Sequence, residues 1–149
     1  MRSGRNVLQS ELSAYLVEFA EMEGVPVERS ENGLASYRWF DRYWLDEDRL
    51  PFFIEDSGEL AGFCLVRVIE GGWNIAEFGI RRERRRAGVG RCSVDVLASA
   101  ARSAGASHLR ADVHHWNERA LRFWSACGFR PIGEAEGIVP TRLVLDPLA

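Results

Sequence analysis

At 149 residues the chain is long enough to bury a core, and at 46% apolar and 11% aromatic it is not of disordered composition. The net charge of −3 hides an asymmetry: residues 1–60 carry 6 arginines against 13 acids, and residues 81–91 carry 6 arginines against Glu83 alone. One basic turn beside an acidic half argues against a general nucleic-acid binder, which needs a basic face, and suits an enzyme joining a polyanionic cofactor to a cationic substrate. Cys64, Cys92 and Cys127 are odd in number, lack metal-type spacing and fall inside predicted elements. They read as reduced packing residues of a cytoplasmic protein. Met1–Arg5 leads into no signal-peptide core, and no stretch approaches a membrane span, so one soluble domain over 1–149 is expected.

In chain order, Leu8, Leu12, Tyr15, Leu16, Phe19 and Met22 recur at helical spacing and predict an amphipathic helix over 7–23 that covers one sheet face. Asn6 with Gln9 is its expected N-cap, and Gly24 with Pro26 its stop. A polar loop follows to Leu34, with a turn at Asn32-Gly33. In the next, aromatic-dense segment, Tyr37, Phe40 and Trp44 share one helical face, and Trp39 and Tyr43 form a second stripe. One stripe is expected in the core; the other, near Asp46, Glu47 and Asp48, either packs or walls a pocket. Pro51–Glu55 and Leu60–Ile69 predict a hairpin around Asp56-Ser57-Gly58. Gly71-Gly72 then turns the chain into a third strand over 74–80, completing an antiparallel meander.

Asn74–Ile80 is short and apolar, as suits a buried strand. After the arginine-rich turn, Val89, Cys92, Val96, Leu97, Ala100 and Ala104 fall on one face of a helix that Gly105 stops. A strand feeding a glycine-rich turn that opens a helix is an anion site, because glycines admit close backbone approach and the first helical N–H groups lack partners. The dinucleotide fingerprint needs a glycine where Ser93 stands, and the Walker loop needs a lysine, which this chain lacks entirely. What remains is Arg85-x-x-Gly88-x-Gly90. Downstream, Leu109, Ala111 and Val113 alternate with polar residues in a strand over His108–Val113. Asn117 caps a helix that buries Ala120, Leu121 and Trp124 and ends at Gly128; Phe129–Gly133 and Val139–Leu145 are the last strands, around a loop at Glu134–Gly137.

The Arg85–Gly90 pattern resembles the acyl-CoA-binding loop of the GCN5-related N-acetyltransferase (GNAT) family, Gln/Arg-x-x-Gly-x-Gly/Ala. Asn117-x-x-Ala120-x-x-Phe123-Trp124-x-x-x-Gly128-Phe129 resembles that family's Asn-x-x-Ala-x-x-Phe-Tyr-x-x-x-Gly-Phe helix. The two matches span residues 74 to 132 in the family's order; a solvated arginine run beside an ordinary helix is the plain alternative. The element order α-α-β-β-β-α-β-α-β-β predicts an α+β fold of the N-acetyltransferase type, with a mixed, mostly antiparallel sheet flanked by helices. Many family members begin with a strand, so the helical start implies that the first strand is missing or very short.

The resemblance implies that strands 74–80 and 108–113 splay apart and admit the arm of acetyl-CoA, the co-substrate, with no metal. Its amides would pair with backbone around Phe78 and Ile80. Its diphosphate would rest on the amides of Arg86, Ala87, Gly88, Val89, Gly90 and Arg91, with charge added by Arg85, Arg86 and Arg91. Arg81, Arg82 and Arg84 read as solvated or as contacts to the adenosine 3′-phosphate. Asn117 is first a cap and second a cofactor contact. The implied reaction is direct acyl transfer to an amine, on a small molecule or a peptide N-terminus. Glu77 is a costly residue in an apolar strand unless it faces a wet cleft, so it is the candidate base or ammonium ligand, with an ion-paired structural carboxylate as the alternative. The Ile80 N–H is the candidate oxyanion donor. Where the family commonly has a tyrosine as thiolate acid, this chain has Trp124, whose indole is not a useful acid; another group does that job or the thiolate leaves unaided. That departure keeps open a non-catalytic acyl-CoA-binding or sensor domain. His114 and His115 read as strand-end histidines with catalysis as the minor alternative, and Cys127 as core with a nucleophile as its minor alternative. Homodimers are common in the family.

Overall fold

The computed structural model describes residues 4–132, 141–146 and 148. The loop expected at 134–137, residue 133 and the first two residues of the strand expected at 139–145 lie outside them. The helices are α1 (Gly4–Glu23), α2 (Arg42–Leu45), α3 (Val89–Ser103) and α4 (Glu118–Ala126). The strands are β1 (Arg49–Asp56), β2 (Glu59–Ile69), β3 (Gly72–Ile80), β4 (His108–Val113), β5 (Arg130–Pro131) and β6 (Thr141–Leu145). They form one sheet in the order β1-β2-β3-β4-β6-β5, antiparallel except for β3 and β4, which run parallel across the α3 crossover. The element order matches the sequence expectation, and no strand precedes α1 among the described residues; an isolated bridge joins Arg29 to Ala35. No helix among the described residues is long and apolar enough to cross a membrane.

Local chemistry sets the turns. Ser57 and Gly58 both take left-handed φ (54° and 80°), the two-residue turn that matches the twist of the flanking β1–β2 hairpin. Val68 donates to the Asp48 carbonyl at 2.6 Å, and alternation from that pair turns Pro51 to the open edge, where no N–H is needed. Gly24, Gly105 and Gly128 end α1, α3 and α4 at positive φ, each followed by an N–H that returns to the carbonyl five residues back. Helix α1 already runs from Gly4, so Asn6 lies inside it and is not its cap.

Two cores lie on opposite faces of the sheet. Helices α3 and α4 cover one, built on Val66, Ile75, Leu97, Leu109 and Trp124. Helix α1 and the α2 segment cover the other, built on Leu8, Leu12, Phe40, Tyr43, Phe63 and Leu65. Two expectations about faces are corrected here. Helix α3 buries Val94, Leu97 and Ala101, while Val96 is 70% exposed and Cys92 is exposed too. Apolar residues continue past the buried face to Cys92 and Val96, so the periodicity offered a second stripe and contact with the sheet selected one. The aromatic segment is mostly turn, with only one helical turn at α2. Its core residues, Phe40 and Tyr43, come one from each expected stripe, and Trp39 and Trp44 stay exposed.

The charge asymmetry is resolved by pairing. Glu11 takes Arg81, and Asp56 and Glu59 take Arg84. Glu18 takes Arg85 in a two-pronged pair at 2.6 and 2.7 Å, with Arg82 at 3.5 Å and Arg119 at 3.8 Å. Arg81, Arg82 and Arg84 are therefore ion-paired, not merely solvated. The Arg85 guanidinium holds the Glu18 carboxyl well below the usual carboxylate range, at about 2. Because the folded state favours the ionised form, the contribution is full above about pH 4.5 and is lost as pH falls toward 2. We expect Glu18→Gln to lower the unfolding free energy at pH 7 by about 1–2 kcal/mol. In denaturant titrations that gap should close on acidification to pH 2; a gap that persists would mean lost packing, not lost charge.

Candidate active site

Strand β3 is where the sheet opens. Its pairing with β4 runs from Gly72–His108 to Ile75–Ala111 and stops, leaving 76–80 without a strand partner on that side among the described residues. At the same level the β2–β3 ladder shifts register: Leu65 faces Glu77 and Val66 faces Ile75, so Ala76 is an extra residue. The bulge reverses the alternation. Ile75 packs in the α3/α4 core and Ala76 against the α1 core. Glu77, without the bulge, would share the Ile75 face; with it, the carboxyl reaches the α1 side.

The bulge also decides where backbone donors point. Arg81 donates to the Ala61 carbonyl at 2.7 Å. Counting back through an antiparallel ladder, Gly79 and Glu77 turn their polar groups to β2, and Ile80 and Phe78 turn theirs to the gap. The Ile80 carbonyl is engaged there by the Arg85 Nε at 2.9 Å. This leaves the Ile80 N–H and both Phe78 backbone groups turned to the gap, without a strand partner among the described residues. Gly62 and Gly79 let the remaining strands close up: a Cβ at Gly62 would sit 2.1 Å from the Gly79 carbonyl oxygen.

The gap is a cleft of about 740 Å³. One wall is β3 from Ile75 to Ile80, and the facing wall is β4 from Ala111 to Val113, with His114 just past its end. Helix α4 and its cap close it on one side with Asn117, Phe123 and Trp124, and α1 on the other with Tyr15, Glu18, Phe19 and Met22. Arg85, Arg86, Gly88, Gly90 and Arg91 form its end. Of the residues expected to make the site, Glu77, Phe78, Ile80 and Asn117 thus share the cleft with the turn; Ala87 and Val89 do not line it, and Val89 packs against the core. A separate cavity of about 400 Å³ opens at the other end of α1, where its charged lining residue, Arg5, is already paired with Asp41.

The turn is built to present amides. Arg86 and Gly88 take φ of 63° and 82°, and Gly88 precedes α3 without any side-chain cap. Among the described residues, no N–H from Arg86 to Arg91 donates to a protein acceptor; the ladder of α3 begins with Cys92 donating to Gly88 at 3.0 Å. A left-handed residue among right-handed ones curls successive N–H groups into a concave anion cradle, and the helix N-terminus adds its dipole. The two glycines do different jobs. A Cβ at Gly88 would meet nothing within 4 Å, whereas one at Gly90 would come within 3.0 Å of the Phe123 ring. Gly88 supplies the conformation and Gly90 the packing of α3 on α4.

Charge is distributed unevenly around the cleft. The Arg85 side chain is committed to Glu18 and Ile80, while Arg86 and Arg91 have no ion pair among the described residues. Asn117 caps α4, accepting from the Ala120 N–H at 3.2 Å. Trp124 is 6% exposed and packs edge-on against Phe78 with ring centroids 5.3 Å apart. His114 lines the cleft and stacks on Trp116 at 5.4 Å, whereas His115 is exposed and outside the lining. Burial pushes the Glu77 carboxyl up to about 7, and the Tyr15 and Tyr37 hydroxyls act in the opposite direction. Tyr15, Tyr37, Glu18 and Phe19 are the residues that sequence reasoning did not assign to the site. Tyr15 and Phe19 keep the same helical spacing as the core leucines, and nothing local marks the bulge that brings Glu77 to them.

A family model described as the acetyltransferase (GNAT) family matches residues 11–129. Similar solved structures include an acetyltransferase from Thermus thermophilus, at TM-score 0.75 and 20% identity over 93% of this chain and 88% of that one. The PaiA N-acetyltransferase from Thermoplasma acidophilum, solved with coenzyme A, gives TM-score 0.65 and 15% identity over 95% and 89%. A Bacillus subtilis acetyltransferase, also solved with CoA, gives 0.61 and 20% over 74% and 84%. A search of curated protein sequences found no match. At these identities the structures speak for the fold, and the family match covers most of the chain: it belongs to the GNAT acetyltransferase family.

Proposed function

We propose that this chain transfers the acetyl group of acetyl-CoA directly to the amine of a small molecule or a peptide N-terminus. The observation that carries the reading is the run of amides from Arg86 to Arg91, without a protein acceptor among the described residues, at the end of a cleft whose strand wall also turns backbone groups into the gap. The first is a site for a diphosphate. The second, at Phe78 and Ile80, is a site for an amide-bearing chain that adds to β3 as another strand would. Two of the structural neighbours were solved with CoA, which fits this division. Acetyl-CoA, when bound, supplies an acyl group activated as a thioester.

The chain's own residues supply the rest. Arg86 and Arg91 are the side chains available to phosphate oxygens, while Arg85 acts through Ile80 and Glu18 as a brace for the cleft wall. The Ile80 N–H is the donor for the oxygen that gains charge during attack. Glu77 is the base for the acceptor ammonium, and a carboxyl near neutrality suits that task because it is ionised often enough to accept and weak enough to release. Trp124 cannot protonate a thiolate, and it favours a second reading, an acyl-CoA-binding domain without turnover. Thiol release with a panel of amines separates the two.

Saturating acetyl-CoA at a hundredfold excess over Kd should raise unfolding free energy by about 2.7 kcal/mol. No thermal shift would remove both readings. Gly88→Ala should retain binding and cost about 1 kcal/mol through its left-handed backbone alone, whereas Gly88→Glu, with a carboxylate in the cradle, should abolish the shift. Equal shifts in both variants would displace the diphosphate from this turn. Glu77→Gln should keep the acetyl-CoA shift and lower kcat/KM by roughly 10²–10⁴-fold. Undiminished turnover would take Glu77 out of the reaction.

A further inference from the structure

The α1 side of the sheet carries a charge arrangement that the proposed transfer does not use. Read across the register from one edge to the other, a single rung runs Arg49, Arg67, Asn74, Arg110, Val144 and Arg130. Directly opposed residues share a face, and like charges set close together there are unfavourable. Arg67 alternates with Phe63 and Leu65 of the α1 core, so the rung lies on that side, one step past Leu65. At the two ends acids intervene: Asp46 stands 3.7 Å from Arg49, and Asp146 2.7 Å from Arg130. One step along the same face, Asp112 takes Arg142 at 3.0 Å. Arg67 and Arg110, in the middle of the rung, have no carboxylate partner among the described residues.

Asn74 stands between these two arginines, directly opposite both. Its Oδ1 accepts from the Arg110 Nε at 2.9 Å, which draws Arg110 toward β3. The two terminal nitrogens of Arg110 keep no acceptor among the described residues. An aspartate at the same place would neutralise the pair at almost the same size. The asparagine orients the guanidinium and leaves its charge in place. Burial, with the like charges of Arg142 and Arg67, pushes Arg110 down, and it remains a cation. Both arginines are partly buried, so the pair is partly desolvated with its donors open. The guanidinium fork matches the oxygens of a carboxylate or a phosphate.

We propose that Arg67, Asn74 and Arg110 hold the acid group of the acceptor, so that the substrate is an amine carrying its own carboxylate or phosphate. This rests on the reading of Glu77 as the base. Glu77 lies opposite Leu65 and Asn74 opposite Arg67, which puts the rung two β2 residues from Glu77, roughly 7 Å, on the same side of the sheet. On β4, Asp112 lines the cleft, and Arg110 is the next residue on that face. Ile75 and Ala111, the last pair joined before the strands part, line the cleft one residue above the rung. An acceptor with its amine at Glu77 and its acid group on the rung spans one such step, the scale of a small amino acid. Among the described acids of the N-terminal half, whose excess suggested a cationic substrate, Glu18 is the one that lines the cleft, and Arg85 already engages it.

The test reads the two arginines directly. In the full chain, the Nε–H signals of Arg67 and Arg110 are followed by nitrogen-15 NMR and identified by their loss in Arg67→Gln and Arg110→Gln. Titration with β-alanine should move both signals along a saturating curve, whereas β-alaninamide, which lacks the acid, and sodium chloride at matched ionic strength should not. Titration with 2-aminoethyl phosphate against ethanolamine makes the same comparison for a phosphate, and whichever acid moves the signals identifies the group that the rung takes. In turnover with acetyl-CoA, the acid-bearing member of that pair should have the higher kcat/KM by about tenfold or more, expressed in KM. Asn74→Asp, which sets a carboxylate between the arginines at almost unchanged size, should abolish the shifts and bring the two members of the pair together. Signals that move with neither acid overturn the proposal, as do shifts that persist undiminished in Asn74→Asp. Equal kcat/KM for both members alongside a saturating shift shows an anion site that the acceptor does not use, which also overturns it. Should Glu77→Gln prove fully active, or no amine be turned over, while the shifts saturate and vanish in Asn74→Asp, the failure lies with the transfer reading and not with the acid site.

Discussion

Everything about the site follows from a ladder that stops. Backbone polar groups in a sheet interior are paired almost without exception, because leaving one dry and unpaired costs as much as a lost hydrogen bond. Here β3 and β4 pair for four residues and then separate, so the second half of β3 is an edge in the middle of a sheet. Such an edge survives only if the strands are held apart and the freed groups have somewhere to go. The separation is propped from one side by Phe78, Phe123 and Trp124, with ring centroids 4.9 to 5.6 Å apart. Gly90 lets α3 come down on Phe123, which locks the prop. On the other side Arg85 reaches back to the Ile80 carbonyl and is itself anchored by Glu18. The Phe78 groups and the Ile80 N–H are left, and they face a cleft large enough for a ligand chain.

The bulge is the second consequence of that constraint. An extra residue in one strand locally breaks pairing and turns the chain. At Ala76 it falls at the level where β4 pulls away, so one irregularity coincides with both the opening and the change of face. With strict alternation, the run Ile75-Ala76-Glu77-Phe78 would put Glu77 beside Ile75, in the apolar core under α3 and α4. The extra residue moves the carboxyl to the other face and returns Phe78 to the core, where it stacks on Phe123. A carboxylate and an aromatic prop can therefore be neighbours in sequence, each on the side where its chemistry is tolerated.

How much of this was legible in the sequence depends on the range of the cause. Elements set by local chemistry were readable: the turn at Ser57-Gly58, the glycine ends of α1, α3 and α4, and the amide-presenting turn before α3. The two motif matches carried the order of elements and the choice of strands that splay. What failed was set by contacts between distant segments. The inward face of α3 was misread because Val96 is as apolar as Val94 and only the sheet distinguishes them. The aromatics of 37–44 were read as helical stripes, but most of that segment is turn. Tyr15 looked like one more core residue of α1. No residue type marks the bulge at Ala76 that turns Glu77 to the α1 side of the sheet.

The arginine-rich turn is the clearest case of a composition that misleads until its partners are known. Read as a charge run, it suggests a cationic surface offered to whatever anion arrives. In the folded chain Arg81, Arg84 and Arg85 are bound to carboxylates from α1, β1 and β2, and the acids of the N-terminal half are in part their partners. These pairs sit mostly at the surface and contribute little individually. Together they fix where the turn lies relative to α1 and the β1–β2 hairpin, and a fixed turn is what makes main-chain donors effective. Amides held in a cradle before the ligand arrives lose no side-chain freedom on binding and need no reorganisation. On the proposed reading the paired arginines serve recognition by shaping the backbone, and Arg86 and Arg91, the arginines of this turn without an ion pair among the described residues, are the ones that would meet an anion with charge.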